Sequence, residues 1–213
     1  MRIISASTEI LAPAVESFGM LQRIEVAART CYKSEANICG GSAAKLVRGL
    51  IRHGHEAMLE HASITVRFTV DRGVSHELVR HRMASFAQES TRYCNYGLSG
   101  FGTEITFIRP CYMDKNSAAF AIWKRHMQQA EDAYFNLLDF GLMPQEARAV
   151  LPVSLKTEVI MTANIREWRH FFKLRAAGLT GAPHPQMLEV AVPLLNDMKS
   201  QFPVVFDDIK PMH

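Results

Sequence analysis

The densest set of chemically active side chains in this sequence lies in residues 80–92. The segment reads Arg-His-Arg-Met-Ala-Ser-Phe-Ala-Gln-Glu-Ser-Thr-Arg, so guanidinium, imidazole, hydroxyl and amide groups stand close together. Arg80 and Arg82 carry the planar fork that binds phosphate through paired hydrogen bonds, and Arg92 adds another. We interpret the segment as a phosphate site built from side chains. For the Arg-His-Arg triplet alone, a solvated basic helix end remains the alternative.

The residues before His81 indicate the environment of its side chain. On helical spacing Val74, Leu78 and His81 share one face, which makes that face partly buried. A histidine on an apolar face is commonly a core residue with satisfied hydrogen bonds, so His81 alone does not identify a site.

Phosphate loops built from glycine are missing from the sequence. No Gly-x-Gly-x-x-Gly follows a predicted strand, and no Walker loop occurs. A dinucleotide that binds this chain therefore does not bind in the Rossmann manner.

A second cluster is rich in histidine and glutamate, and it comprises His53, His55, Glu56, Glu60 and His61. The cluster lacks the His-Glu-x-x-His spacing of helical zinc sites, so we predict no metal. A turn with capping carboxylates accounts for Glu56 and Glu60, and His55 is free to contact an aromatic cofactor. A zinc-dependent hydrolase that uses the three histidines is the rival hypothesis.

Two further arginines stand beside apolar residues. Helical spacing places four side chains on one face, namely Trp168, Phe171, Phe172 and Arg175. Because an unpaired buried charge is costly, we expect Arg175 to meet an anion, with a structural salt bridge as the alternative. Arg148 lies in a short segment between two prolines, and its alternative is an ordinary surface arginine.

Hydrophobic periodicity predicts the elements that must carry these groups. Strands are expected at residues 2–6, 62–70, 104–108 and 156–164. Helices are expected at residues 21–33, 42–52 with Ser42 as N-cap, 72–85, 116–140, a short one from Pro144, 166–175 and Pro185–Gln201. Residues 93–103 are predicted to form a glycine-rich loop. Helices mixed with few strands, without strict βαβ alternation, favour an α+β fold.

Composition narrows the class of protein. The 213 residues fit a single domain spanning 1–213, and 48% hydrophobic residues suffice for a core. A formal charge of +3 is too small to indicate a nucleic-acid partner. We see no signal peptide and no membrane span. The four cysteines form no Cys-x-x-Cys pair, and we expect reduced thiols in a cytoplasmic protein.

Taken together, these residues resemble the flavin-dependent thymidylate synthases. The family's signature, Arg-His-Arg-x-x-Ser followed after four residues by Ser-x-Arg, stands complete from Arg80 to Arg92. The resemblance covers roughly residues 1–200. It includes the His53-Gly-His-Glu segment, Ala147-Arg148, Leu151-Pro152, Asn164, Leu174-Arg175 and His184-Pro185-Gln186.

The resemblance implies a fold and a reaction. The fold would have helices packed around a central, mainly antiparallel sheet, in a homotetramer with shared active sites. The reaction would be reductive methylation of dUMP to dTMP, with 5,10-methylenetetrahydrofolate as carbon donor and FAD reduced by NADPH as hydride source. No enzyme cysteine need attack the pyrimidine, and no cysteine sits among the arginine motifs. A non-catalytic flavin- or nucleotide-binding module is the alternative.

The resemblance also implies roles for individual residues. FAD would contact His55, Arg80, His81, Arg82, Gln88, Asn164 and His170. dUMP would be held by Glu77, Arg80, Gln88, Ser90, Arg92, Arg148 and Arg175. Arg175 would be the catalytic residue, since a fixed cation facing the uracil stabilises negative charge at N3 and O2. Ser90 would be a nucleotide ligand. This chain departs from many members at Ala87-Gln88, where they have Asn-Glu.

Overall fold

The structure, a computed structural model, describes residues 1–11, 16–98 and 103–212. The strands are β1 (Arg2–Ile4), β2 (Ser7–Ile10), β3 (Ser63–Asp71), β4 (Ala84–Gln88), β5 (Thr106–Ile108) and β6 (Lys156–Asn164). The α-helices are α1 (Glu16–Thr30), α2 (Ser42–Arg52), α3 (Arg72–Leu78), α4 (Ala118–Asp139), α5 (Pro144–Ala147), α6 (Ile165–Arg175) and α7 (Pro185–Gln201). Short 3-10 helices cover Glu35–Asn37, Glu56–His61 and Arg148–Val150. Part of the predicted glycine-rich loop, residues 99–102, lies outside the described residues.

The strands form two sheets. β2, β3, β6 and β4 make a four-stranded antiparallel sheet in that order, whereas β1 pairs in parallel with β5. The α+β fold with a mainly antiparallel sheet is therefore confirmed. β3 alternates as predicted, because the side chains on one of its faces are fully buried, namely Ile64, Val66, Phe68 and Val70.

The chain divides into two compact units, and unit 1 comprises Met1–Ser7, Phe68–Arg80 and Ala87–Ile160. Its core is aromatic and aliphatic, and it includes Tyr96, Phe107, Trp123, Met127 and Tyr134. α4 contributes the last three of these, which lie on one face of the helix. Gly141 follows α4 with φ of +88°, a conformation that glycine adopts without strain.

The predicted helix over residues 72–85 is wrong beyond Leu78. Asp71 starts α3 by accepting a hydrogen bond from the Val74 amide at 2.9 Å, and the helix ends at Leu78. Residues 84–88 are instead β4, and the backbone pairing continues where the Glu89 amide donates to the Glu158 carbonyl at 2.9 Å. His81 therefore does not share a helical face with Val74 and Leu78.

Unit 2 comprises Thr8–Arg67, His81–Phe86 and Met161–His213. α1 packs against α2, and α6 packs against α7 and the 3-10 helix Glu56–His61. The indole of Trp168 donates to the Ile64 carbonyl at 3.0 Å, which ties α6 to β3. Ser42 is the first residue of α2 and not its cap, because Gly41 occupies the cap position with φ of +79°.

A buried arginine anchors α6 within unit 2. Arg169 is 1% exposed, and its two Nη atoms bond both carboxylate oxygens of Asp208 at 2.7 and 2.8 Å. Its Nε donates to Glu56 at 3.1 Å, and Lys173 reaches the same carboxylate at 3.2 Å. Glu56 thus pairs with α6, and Glu60 likewise pairs with Arg166, so neither acts as the turn cap expected from the sequence.

The described helices include none that is both long enough and apolar enough to cross a membrane. That residues 1–213 form a single domain stays a prediction.

Candidate active site

Arg92 and Arg148 are brought together in unit 1 by Gln145. Nε of Arg92 donates to the side-chain oxygen of Gln145 at 2.9 Å, and Nε of Arg148 donates to the Gln145 backbone carbonyl at 3.1 Å. Arg148 also donates to the hydroxyl of Thr91 at 3.1 Å. Both arginines are exposed, so their position reflects these hydrogen bonds and not burial.

Neither of these guanidinium groups is neutralised by a carboxylate. Arg29, Arg67, Arg166 and Arg169, by contrast, form ion pairs in the part of the chain that the structure describes. Two like charges held at one residue raise the local positive potential, which favours an anion with several acceptor oxygens. Arg92 and Arg148 therefore form an exposed pair of cations without a neutralising carboxylate, and phosphate binding by this pair stays a prediction.

The strand and turn before Arg92 are fixed by Glu89. One oxygen of its carboxylate accepts from the Tyr96 hydroxyl at 3.0 Å. The other accepts from Lys156 at 3.0 Å and from the Glu158 amide at 3.2 Å. Burial, together with the Glu89 charge, raises the pKa of the Tyr96 phenol well above its ordinary value, so Tyr96 remains a donor.

Ser90 starts the turn that presents Arg92. Its hydroxyl accepts from the Arg92 amide at 3.2 Å, and its carbonyl accepts from the amides of Tyr93 and Cys94. No acid or base side chain bonds this hydroxyl in the described part of the chain, which fits a ligand and not a nucleophile. Gln88, one pleat earlier, directs its amide nitrogen to Ser75 at 3.0 Å and Thr157 at 3.2 Å.

The remaining unit 1 residues expected at the nucleotide are Glu77 and Arg80. Glu77 is half-buried on α3, and its carbonyl accepts from the Arg80 amide at 3.2 Å. Arg80 lies in the turn after α3 with an exposed side chain.

His81 is the centre of a second cluster, which lies in unit 2. The residue is 4% exposed, and its ring packs edge-on against Phe171 with 5.0 Å between ring centres. Nδ1 lies 3.1 Å from a Glu167 oxygen, and Nε2 lies 3.3 Å from Nε of Arg175. The His170 ring is 5.9 Å away.

These contacts define the protonation state of His81. Burial, the Arg175 charge and His170 lower the pKa of His81 to about 4, so the ring is neutral at pH 7. The Arg175 Nε–H can only donate, so Nε2 carries no proton and the proton lies on Nδ1. The contact with Glu167 is therefore a hydrogen bond from a neutral ring and not an ion pair. Burial raises the pKa of Glu167, against the opposing effect of His170.

Asn164 and His170 share a cavity of about 370 Å³ in unit 2, which Met83 and Lys173 also line. Asn164 uses its side-chain oxygen to cap α6 by accepting from the Glu167 amide at 2.8 Å. Its amide nitrogen makes no hydrogen bond to the described residues and is available as a donor. His170 is exposed on α6, and Arg82 is exposed before β4.

His55 does not line that cavity. It borders a larger pocket of about 730 Å³, which is also lined by Arg29 of α1, Lys45 of α2, and Tyr32 and His53 just after these helices. The His53 and His55 rings meet edge-on with their centres 6.3 Å apart, and Nδ1 of His53 bonds the Gly49 carbonyl at 2.8 Å.

The histidines of the rival zinc hypothesis do not come together as a metal site among the described residues. Among the described residues, the set whose ligand atoms lie near enough for one metal ion is His81, Glu167 and His170. Both nitrogens of His81 are already engaged there, and the Arg175 charge at Nε2 opposes a divalent cation. His53, His55 and His61 do not belong to this set.

Several residues of these clusters escape sequence analysis. Glu167 has a detectable signal, because an Asn followed three residues later by Glu is typical of a helix start. Gln145 and Thr91 have weaker signals, and Ser75 and Thr157 have none, since each acts across a long separation in sequence.

The α+β fold thus carries a pair of arginines without neutralising carboxylates and a neutral, desolvated histidine held by an arginine. Comparison with known proteins gives the family. Residues 15–204 match the family model described as thymidylate synthase complementing protein. The chain therefore belongs to the flavin-dependent thymidylate synthase family.

Individual relatives agree. The flavin-dependent thymidylate synthase of Pyrococcus furiosus is 36% identical over 166 residues, which cover 76% of this chain and 63% of that protein. The enzyme of the same name from Geobacter sulfurreducens is 32% identical over 195 residues, covering 88% and 81%. Among solved structures, the UMP/dUMP methylase PolB from Streptomyces cacaoi, bound with 5-Br dUMP, superposes with a TM-score of 0.77 at 26% identity, covering 97% of this chain and 96% of that one.

Proposed function

We propose that this protein catalyses the reductive methylation of dUMP to dTMP. The carbon would come from 5,10-methylenetetrahydrofolate and the reducing equivalents from NADPH, without an enzyme cysteine as nucleophile. The observation that carries the proposal is the pair Arg92 and Arg148, held by Gln145 without a neutralising carboxylate. The names of the relatives and the dUMP analogue bound to PolB support a uridylate as the anion.

In this proposal dUMP binds in unit 1 through its phosphate and its sugar. Arg92 and Arg148 take the phosphate oxygens through their terminal nitrogens, because their Nε atoms are already engaged by Gln145. Ser90 adds a hydroxyl at the start of the turn. Glu77, Arg80 and Gln88 complete the nucleotide site.

Arg175 would stabilise the negative charge that develops at N3 and O2 when the uracil ring is activated. A cation is most effective when it is oriented before the reaction begins. The bond from Arg175 Nε to His81 supplies this orientation, since His81 is itself fixed by Glu167 and by Phe171. His81 would thus act on the reaction partly through Arg175.

The residues expected at FAD have donor groups that suit its carbonyl and phosphate oxygens. Arg80 and Arg82 are exposed cations, and neither forms an ion pair in the described part of the chain. Asn164 presents its amide nitrogen in the cavity that it shares with His170, and His55 borders the larger pocket. His81 and Gln88 complete the set. When bound, FAD supplies the hydride that NADPH provides.

The arrangement of the thiols supports a mechanism without a cysteine nucleophile. Cys94 lies two residues after Arg92, closer to the arginine motif than the sequence analysis allowed. The side chain of Cys94 is half-buried. The turn itself is closed by the Cys94 amide, which donates to the Ser90 carbonyl at 2.9 Å.

Tritium release from [5-³H]dUMP under anaerobic conditions tests the function, with FAD, NADPH and methylenetetrahydrofolate present. We expect release that depends on all three additions, together with formation of dTMP. FAD bound without release would instead identify a non-catalytic module. Stoichiometric zinc in a colourless preparation would favour the hydrolase. UMP belongs in the same assay, because PolB has also been solved with 5-Br UMP.

The homotetramer with shared active sites and the cytoplasmic location are parts of the same proposal. Sedimentation velocity of the FAD-loaded protein tests the first, where a monomer would contradict it.

A further inference from the structure

The side-chain amide of Gln88 is held from behind by two buried hydroxyl groups. Its Nε2 lies 3.0 Å from the Oγ of Ser75 and 3.2 Å from the Oγ1 of Thr157. Both hydroxyl residues are fully buried, whereas Gln88 is exposed at the end of β4. The amide is therefore attached on its inner side to groups that cannot move freely.

Hydrogen-bond chemistry fixes which end of this amide faces inward. The Ser75 hydroxyl donates to the Arg72 carbonyl at 2.9 Å, and a carbonyl can only accept. The single proton of Ser75 is thereby used, so toward Gln88 this hydroxyl can only accept, and its partner must be the amide nitrogen. Arg72 also donates to Thr157 at 3.4 Å, which leaves the second lone pair of the Thr157 hydroxyl for the amide nitrogen.

The amide oxygen of Gln88 is consequently turned away from the two hydroxyls. Among the residues that the structure describes, none donates a hydrogen bond to this oxygen. It belongs to the residue two positions before Ser90 and four before Arg92, on the segment proposed to bind the nucleotide. Water can donate to this exposed oxygen in the free protein, and a ligand that covers it must supply a donor in place of water.

We propose that Ser75 and Thr157 are positioning residues that fix the Gln88 oxygen as acceptor for a neutral donor of the bound pyrimidine nucleotide. That donor is N3–H of the ring or a hydroxyl of the sugar. A glutamate here could not donate to either hydroxyl, so the amide gives this site a defined polarity. The inference rests on the proposed function, because it takes dUMP as the ligand.

Substitutions at Thr157 test the positioning role. Thr157→Val keeps the shape of the side chain but removes the acceptor, and Thr157→Ser keeps the acceptor. Calorimetric titration of FAD-loaded protein with dUMP should give a Kd raised about 5- to 10-fold for Thr157→Val and near the wild-type value for Thr157→Ser. Turnover at saturating dUMP should change less than 2-fold, by the same estimate.

Thr162→Val is the matched control. Thr162 lies on the same strand and loses a hydroxyl pair with Thr65 at 2.9 Å, but it has no place in the proposed site. It should leave the dUMP Kd unchanged. Equal weakening by Thr157→Val and Thr157→Ser, or an unchanged Kd in Thr157→Val, would overturn the proposal.

Nucleotide analogues test the acceptor directly and identify the donor. N3-methyl-dUMP lacks the ring donor, and 2′,3′-dideoxy-UMP lacks the sugar hydroxyl. One of them should bind wild type about 5- to 10-fold more weakly than dUMP, and that penalty should vanish in Gln88→Ala. If both penalties persist undiminished in Gln88→Ala, the inference is wrong, even where Thr157→Val fails to fold.

Wild-type titration separates this inference from the function on which it rests. If wild type binds no dUMP and forms no dTMP, the proposed function fails. If wild type does both while the Thr157 and Gln88 variants behave like it, only the inference about the amide fails.

Discussion

Arg175 donates a hydrogen bond from Nε to Nε2 of His81 at 3.3 Å, so a cation and a histidine are in contact while only the cation is charged. The low pKa of His81 follows from this contact and from burial. Protonating the ring would break the bond to Arg175 and place two positive charges together. The pair is therefore stable only while His81 stays neutral.

The free energy of unfolding should depend on pH through His81. The folded pKa of about 4 lies below the ordinary 6.5, so between these values the unfolded chain binds a proton that the folded chain does not. Stability then rises with pH across this window and is lost as pH falls from 6.5 to 4, by roughly 3 kcal/mol in all. Urea unfolding at pH 4 to 7 measures it.

A variant without a titrating group at this position isolates the effect. His81→Gln should flatten the pH dependence over the window, and His126→Gln, an exposed change on α4, should leave it as in wild type. Equal slopes in wild type and His81→Gln would assign the effect to other groups.

Arg175→Ala should abolish most of the turnover while FAD remains bound. Removing one oriented group that stabilises developing charge costs about 10²- to 10³-fold in kcat. Tritium release from dUMP measures the loss, and the flavin absorbance of the purified protein measures retained FAD. Arg125→Ala, an exposed arginine on α4, is the control, and an equal effect in both variants would remove Arg175 from the mechanism.

Arg148→Ala should act on nucleotide affinity. Loss of a charged phosphate contact costs about 1.5–3 kcal/mol, which raises the KM for dUMP roughly 10- to 100-fold. Gln145→Ala should show a smaller increase, because it releases the side chain of Arg92 but keeps the backbone carbonyl for Arg148. Both effects should shrink at high salt. A large fall in kcat at unchanged KM would contradict a phosphate role.

Cys94→Ser should retain dTMP formation. A mechanism with a cysteine nucleophile requires the thiolate, and serine cannot replace it at neutral pH. Initial rates within about 3-fold of wild type are expected, since only the fit of the side chain near Tyr96 changes. A loss of turnover beyond 10³-fold, with folding intact by circular dichroism, would show that the thiol takes part in the reaction.

Arg169→Met should destabilise the fold more than an exposed ion pair would. The substitution leaves Glu56 and Asp208 without their shared cation, and because these carboxylates are 20% and 49% exposed, the cost should lie between that of an exposed pair and the roughly 3–5 kcal/mol of a fully buried one. Arg67→Met, which breaks an exposed pair with Glu9, should cost at most ~1 kcal/mol. Urea denaturation of both variants measures the difference, and similar midpoints would refute the anchoring role.

Local patterns in the sequence predicted the elements with strong periodicity. α7 and β6 have the predicted bounds, β3 is shifted by one residue, and α6 begins one residue earlier than expected. The helix prediction for residues 72–85 failed after Leu78. Helical spacing in the sequence gives no information about the pairing of residues 84–88 with β6. β2 was missed, since four residues give too little periodicity to detect.

The residues of the candidate site likewise fall into some that the sequence predicts and some that it does not. Arg92, Arg148 and Arg175 were identified because their types or neighbours were unusual. Their partners Gln145 and His81 fix their positions through hydrogen bonds, and no spacing rule in sequence encodes such bonds across 53 or 94 positions. The orientation of a side-chain amide, such as that of Gln88, can be deduced only from its contacts in the folded structure.

The pleat of β4 sets a rule for how this segment can vary. Glu89 faces Tyr96 and Lys156, and its neighbours Gln88 and Ser90 leave on the other side of the chain, because successive residues of an extended strand alternate. Inserting or deleting one residue between Ser85 and Ser90 would exchange the two sides, so that a carboxylate replaced the side chains proposed to bind the nucleotide. This segment should therefore tolerate substitutions, for example at Ala87, far better than insertions or deletions.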